Sequence, residues 1–248
     1  MAASVSRALH ATGEVERRMD PLKFDQTLLL NFCDNERSWF DGVKRLPAGH
    51  SLVLEPDHTP PPPRQYYSFA DIRPIRLAND EVYVGQATAL FDQAVANALD
   101  GFARPAISLS GGFDSQAVAA STLRQRPGQL LRGYTSVPEA EWDGRLVSKR
   151  FGDERHHVAA LAALYPDLAV EWVDAAGLAF DHQAQALFLL GGIAPSSAGN
   201  MHWIHEIYRR ARENRCDVML AGDYGNGSFS YSGFGALPGW LARGQWRR

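Results

Sequence analysis

Between Glu81 and Ala221 the chain alternates two periodicities. Short apolar runs at Ala106–Leu109, Leu131–Ser136, Ala169–Val173 and Val218–Ala221 are separated by stretches with helical spacing, such as Asp153–Leu164 and His202–Glu213. Ahead of the first run, Ala87, Leu90, Phe91, Ala94, Val95 and Ala98 recur at the spacing that puts them on one face of a helix over Glu81–Leu99. Strands that alternate with helices build βαβ units, and these close into a mainly parallel sheet flanked by helices. An α/β fold is therefore expected. Such sheets bind ligands beyond the carboxyl ends of their strands, in the loops that lead into helices.

The loop after the first apolar run reads Ser110-Gly111-Gly112-Phe113-Asp114-Ser115, with Leu109 closing the strand and a helical stretch following. Two glycines permit a tight turn and bring backbone N–H groups against an anion. Ser110 and Ser115 add hydroxyl donors, and the helix start adds its positive dipole end. The plain alternative is a structural Gly-Gly turn. Asp114 argues against it, because a carboxylate beside a phosphate makes chemical sense when a cation lies between them, as magnesium does before a triphosphate. Its own alternative is a helix N-terminal carboxylate stabilised by the dipole alone. The chain has neither the Gly-Lys-Ser/Thr of a Walker loop nor a Gly-x-Gly-x-x-Gly fingerprint at this point.

Charge and hydropathy narrow the partners. Lys and Arg number 25 against 28 Asp and Glu in 248 residues, a formal net charge of −3. That balance argues against nucleic acid held by bulk charge and leaves small polyanions as ligands. The apolar stretch around Ala186–Ala194 is interrupted by Gly191 and Gly192 and falls short of the roughly 20 residues a membrane span needs. The N-terminus lacks the apolar core of a secretory signal, so a cytoplasmic location is expected, with Cys33 and Cys216 as reduced thiols. Cys33 reads as a buried apolar residue rather than a nucleophile. His156-His157 and the His202/His205 pair lack a completing ligand set for zinc, and the aromatic residues lack the basic interleaving of a nucleic-acid surface.

Residues 1–70 read differently. Asp25–Asn31 carries a short helical pattern, and a turn at Pro47-Ala48-Gly49 precedes a strand-like Ser51–Leu54. Pro60–Pro63 is read as an extended spacer marking a boundary.

The string Ser110–Ser115 on a strand–turn–helix resembles the signature of the PP-loop ATP pyrophosphatases, and its surroundings resemble the synthetase half of asparagine synthetase B. Phe40–His50 is similar to the segment ending that family's glutaminase domain, with Tyr66-Tyr67 at its downstream Tyr-Trp. Gly133–Ser136 resembles the strand whose tip meets adenine. Asp153-Glu154 falls at an Asp-Glu pair that opens the next helix, and Ala221–Asn226 resembles the late Ser-Gly-Glu-Gly-x-Asp loop. The resemblance implies residues 1–70 as the end of a glutaminase-type domain plus linker and 71–248 as a PP-loop synthetase domain. It places Leu109, Ser136 and Gly222 around adenosine, and Ser110, Gly111, Gly112, Asp114 and Ser115 around the phosphates. Asp114, with Asn226, would hold magnesium, and Asp223 would orient an attacking amine or serve as a plain loop carboxylate.

The departures from that pattern set further expectations. The chain begins Met1-Ala2-Ala3 without the family's catalytic cysteine, has Asn226-Gly227 in place of Asp-Glu, and stops at Arg248, ahead of the helices that supply a basic residue to pyrophosphate. It is expected to be shortened at both ends and to lack glutamine hydrolysis. The closing Trp246-Arg247-Arg248 is read as a frayed end. Three functions follow: ATP-dependent amide formation on a carboxylate such as that of aspartate, through an acyl-adenylate; macrolactam or β-lactam closure as in lasso-peptide cyclases and β-lactam synthetases, favoured by Asn226; and a non-catalytic nucleotide-binding remnant. ATP and magnesium are the expected cofactors. A small-molecule or peptide carboxylate would be the substrate, with ammonia or an amine as donor, and a homo-oligomer or a separate glutaminase partner stays open.

Overall fold

The computed structural model describes residues 1–29, 31, 34–56, 58–145, 152–192, 198–230 and 237–244. Cys33 and Trp246–Arg248 lie outside the described residues. In chain order the elements are α1 (Ser6–His10), α2 (Pro21–Leu28), β1 (His50–Ser51), β2 (Arg64–Gln65), α3 (Asp80–Leu99), β3 (Pro105–Ser108), α4 (Phe113–Gln125), β4 (Leu131–Ser136), α5 (Arg155–Leu164), β5 (Leu168–Val173), α6 (Ala184–Gly191), α7 (Met201–Glu213), β6 (Val218–Leu220) and α8 (Leu237–Ala242). They fall into two compact units, Met1–Arg76 with Asp181–Met201, and Leu77–Phe180 with His202–Arg248. No helix among the described residues is long and apolar enough to cross a membrane.

In the first unit, α2 starts at Pro21, earlier than the apolar spacing of Asp25–Asn31 predicts. Asp20 supplies the reason: its side chain accepts the Lys23 N–H at 2.9 Å as an N-cap, and Pro21 at the first helical position is already set for the helix. Arg37 donates to the other Asp20 oxygen at 2.6 Å. Phe40 is buried between the rings of His10 and Phe188. The strand expected over Ser51–Leu54 is reduced to His50–Ser51. It pairs antiparallel with β2 in the register His50↔Gln65 and Ser51↔Arg64, so the next partner in line is Pro63, which has no N–H to give to a ladder. The prolines thus lead into a strand that returns to β1, and both flanks of the run lie in one unit.

The second unit holds a four-stranded sheet in the order β5-β4-β3-β6, with every pair parallel. Its strands lie within a residue of the apolar runs. Alternation along β3 sends Ile107 to one face and Ala106 to the other. On the first face, Ile107, Leu109, Leu131 and Leu220 pack with Val95 and Leu99 of α3, Val118 and Leu123 of α4, and Val158 and Leu161 of α5. On the second, Ala106, Tyr134 and Val173 meet Ile207 and Ala211 of α7. Helices on both faces are what a parallel sheet requires, since both its faces are apolar.

Helix α3 corrects part of the periodicity reading. Only Phe91, Val95 and Leu99 pack on the core, whereas Ala87, Leu90, Ala94 and Ala98 are exposed. The orientation is held by Asp92, which accepts from Ser121 Oγ at 2.5 Å and from Arg124 at 3.0 Å on the neighbouring α4. A polar anchor one position from Phe91 selects the face, and small alanines on the other side have little area with which to compete. At the base of the sheet, Asp217 accepts the N–H groups of Ala103 and Arg104 at 3.0 and 2.9 Å, which ties the start of β6 to the approach of β3.

Candidate nucleotide site

Strands β3, β4 and β6 end at one edge of the sheet, and the loops beyond them enclose a cleft of about 710 Å³. Its lining brings together Leu109, Ser110, Gly112, Asp114, Ser115, Ser136, Gly222, Asp223 and Asn226, nine of the ten residues singled out above. Gly111 is not part of the lining, although its N–H meets a residue that is.

The loop's shape comes from Ser115. Its buried hydroxyl accepts the Ser110 N–H at 3.0 Å and shares a hydrogen bond with Ser110 Oγ at 2.9 Å, and Ser110 Oγ accepts the Gly112 N–H at 3.2 Å. The turn is thus closed by two hydroxyls before α4 begins, leaving the first N–H groups of α4 without intrahelical partners. Neither Gly111 nor Gly112 adopts a left-handed backbone. The glycines are required for proximity instead: a Cβ on Gly111 would approach the His157 ring to 3.0 Å and Glu154 Cβ to 3.2 Å. Tightness of turn, the reason read from the sequence, is the lesser one.

The late loop is fitted against the same turn. A Cβ on Gly222 would stand 2.5 Å from Ser115 N, and one on Gly225 would run into the Asp114 side chain. Beyond Tyr224, a short 3-10 turn spans Gly225–Gly227. Phe229 then places its ring 4.7 Å from Phe91 of α3 and 6.3 Å from Phe113. Aromatic contacts of this kind hold a loop that has no strand partner.

Asp114 Oδ1 is buried and has no hydrogen-bond partner among the described residues. A native carboxylate oxygen is seldom left so, and a hard divalent cation with oxygen ligands is the chemistry that satisfies it. Asn226 Oδ1 accepts from Ser230 Oγ at 2.9 Å and keeps a lone pair for a second partner. These residues fit magnesium held chiefly by Asp114 and by the oxygens of a bound phosphate. Among the described residues no cluster of three or more His, Cys, Asp or Glu is built to hold a metal by itself.

Three contributors escaped the sequence reading as site residues. Trp203 and Ile207 of α7 line the cleft, and both also pack in the core on the second face of the sheet. Glu154, met above only as part of a resemblance, accepts the Gly111 N–H at 2.9 Å. Asp223 also acts at a distance, since the Tyr208 hydroxyl is pushed up mainly by burial and further by the Asp223 charge.

A parallel α/β sheet, a hydroxyl-closed Ser-Gly-Gly loop at its carboxyl edge and an unsatisfied aspartate at the helix start define an α/β nucleotide-binding domain of PP-loop architecture. The family model for asparagine synthase matches residues 86–245, and the chain belongs to that family of ATP-dependent ligases. No curated protein matches the chain.

Proposed function

We propose that this chain is an ATP-dependent carbon–nitrogen ligase that activates a carboxylate as its acyl-adenylate. The unpartnered Asp114 oxygen at the mouth of the Ser-Gly-Gly loop carries the reading. A carboxylate oxygen of the substrate attacks the α-phosphorus, the new O–P bond forms and pyrophosphate leaves. An amine then attacks the acyl carbon, AMP leaves and the amine's proton passes to a base.

Leu109, Ser136 and Gly222, which line the cleft, would meet the adenosine, and the loop from Ser110 to Ser115 would receive the phosphates. Ser110 and Ser115 hold that loop in shape before the nucleotide arrives, so its donors need little reorganisation. Magnesium, when bound, neutralises charge on the departing pyrophosphate, with Asp114 as its protein carboxylate and Asn226 as a neutral oxygen donor. Asp223, one of the carboxylates that line the cleft, would orient the amine and accept its proton.

Asn226 favours a second form of the same chemistry, in which acid and amine belong to one peptide and closure gives a lactam. A neutral amide in place of a carboxylate marks a site that differs from one built for aspartate. Ammonia, a tethered amine or a separate glutaminase would supply the nitrogen, and the cytoplasm is the proposed compartment.

The test is calorimetric binding of ATP with magnesium to the wild type and to Asp114→Asn. Pyrophosphate release is then measured with aspartate plus ammonia and with amine-bearing peptide acids. Binding lost in the variant and release that depends on one acid class are expected. A folded wild type that binds ATP but releases pyrophosphate with neither acid class would favour the non-catalytic nucleotide-binding remnant, and one that binds no ATP would overturn the ATP reading itself.

A further inference from the structure

Glu154 stands just outside α5, at the position that precedes Arg155, and its side chain makes no cap hydrogen bond to its own helix. It reaches across to the phosphate loop instead, where Oε2 accepts the Gly111 N–H at 2.9 Å. The neighbouring Asp153 is neutralised by Arg155 at 3.1 Å, whereas Glu154 forms no ion pair among the described residues. Glu154 and His157 also close over the bare Cα of Gly111, and Glu154 lines the cleft itself.

The three consecutive N–H groups of the turn are therefore partnered in two different ways. Those of Ser110 and Gly112 are given to neutral hydroxyls within the loop. That of Gly111 is given to a carboxylate from another element, 43 residues away. A carboxylate on a backbone N–H is the same interaction that a phosphate oxygen makes in an anion cradle, and two anions repel when both compete for one donor.

We infer that Glu154 is a built-in anion of the phosphate loop: it holds the Gly111 N–H in the absence of nucleotide and yields it to a phosphate oxygen of ATP. This inference rests on the proposed ATP site and adds to it a residue that sets the loop's affinity for phosphate. Glu154 satisfies the Gly111 N–H when the loop is empty and raises its threshold for weakly charged or magnesium-free anions, because an entering ligand must first displace a fixed negative charge. The structural cost of losing it is small, since the Ser110–Ser115 hydroxyl pair keeps the turn closed.

The experiment compares wild type, Glu154→Gln and Glu154→Ala by calorimetry with two probes, ATP with magnesium and inorganic pyrophosphate alone, with melting temperatures recorded without ligand. Loss of one adjacent negative charge is expected to tighten pyrophosphate by about fivefold or more, with a smaller gain for ATP with magnesium, whose charge is already partly neutralised. Raising the salt concentration should shrink the difference between wild type and Glu154→Gln. If the wild type binds ATP and both variants bind pyrophosphate equally or more weakly, the inference is overturned while the ATP site stands. If folded wild type and variants bind neither probe, the ATP reading fails and the inference with it.

Discussion

The carboxyl group of Asp114 occupies the place that a Cβ on Gly225 would need, although 111 residues separate them in the chain, from position 114 to position 225. The bare Cα of Gly225 is what allows the buried carboxylate to lie between the first turn of α4 and the late loop. Gly225→Ala should move Asp114 and weaken magnesium-dependent ATP binding by about tenfold or more. Gly227 is the control, because a Cβ there meets nothing within 4 Å, so Gly227→Ala should bind as the wild type does. Calorimetry with and without magnesium separates the two. Equal loss in both variants would mean that the loop needs glycine for another reason.

Gly222 makes the closest approach of the late loop to the backbone of the phosphate loop. Its substitution by alanine sets a methyl group 2.5 Å from Ser115 N, a backbone atom that cannot rotate away. Overpacking of this kind costs about 1–3 kcal/mol, so Gly222→Ala should lower the urea midpoint as well as ATP affinity. Unchanged stability would show that the loop after β6 can shift freely from α4.

Ser115 is the hydroxyl on which the turn closes. Ser115→Ala leaves the Ser110 N–H without its acceptor in a buried setting, and a loss of about 1–3 kcal/mol is expected. Denaturant unfolding measures the loss. Saturating ATP should recover less than half of it, because the ligand does not replace an interaction behind the loop.

Glu206, buried on α7, gives the second unit an acid-sensitive contact. Its carboxyl is held at about 2, against an ordinary 4.5, first by hydrogen bonds from Arg209 and then, against the opposing effect of burial, by Arg210. A folded-state value below the unfolded one means that the contribution is complete above about pH 4.5 and disappears as the pH falls towards 2. With both arginines partly in solvent, it amounts to roughly 1–2 kcal/mol. Glu206→Gln should lower stability at pH 7 and flatten the dependence between pH 4.5 and pH 2, as followed by urea midpoints across that window. An identical acid slope in the variant would reassign the sensitivity to other carboxylates.

Much of this molecule was legible in the order of its residues. The strands of the sheet lie within one residue of the apolar runs, and the Ser110–Ser115 loop stands at the end of β3 as the strand–turn–helix pattern requires. These features depend on contiguous residues, on apolar spacing, on turn chemistry and on the hydroxyls near two glycines, so reading along the chain finds them. The shortening of β1 was legible in principle too, since Pro63 is the residue that cannot answer Leu52, but it needs the pairing register before it can be seen.

The tertiary structure decided what depends on sheet order. With β6 placed beside β3 and not beside β5, the loop after β6 comes against α4, which is how Gly222 meets Ser115 and Gly225 meets Asp114. With β4 on the other side of β3, the crossover into α5 brings Glu154 to Gly111. The buried face of α3 was chosen through Asp92, and Asp181–Met201 belongs to the first unit across more than a hundred residues of intervening chain. Local spacing determines which elements form and where an anion loop lies. Which glycine must be bare, which aspartate is left unsatisfied and which carboxylate holds the loop are set by contacts between residues far apart in the chain, and only the order of the strands brings those residues together.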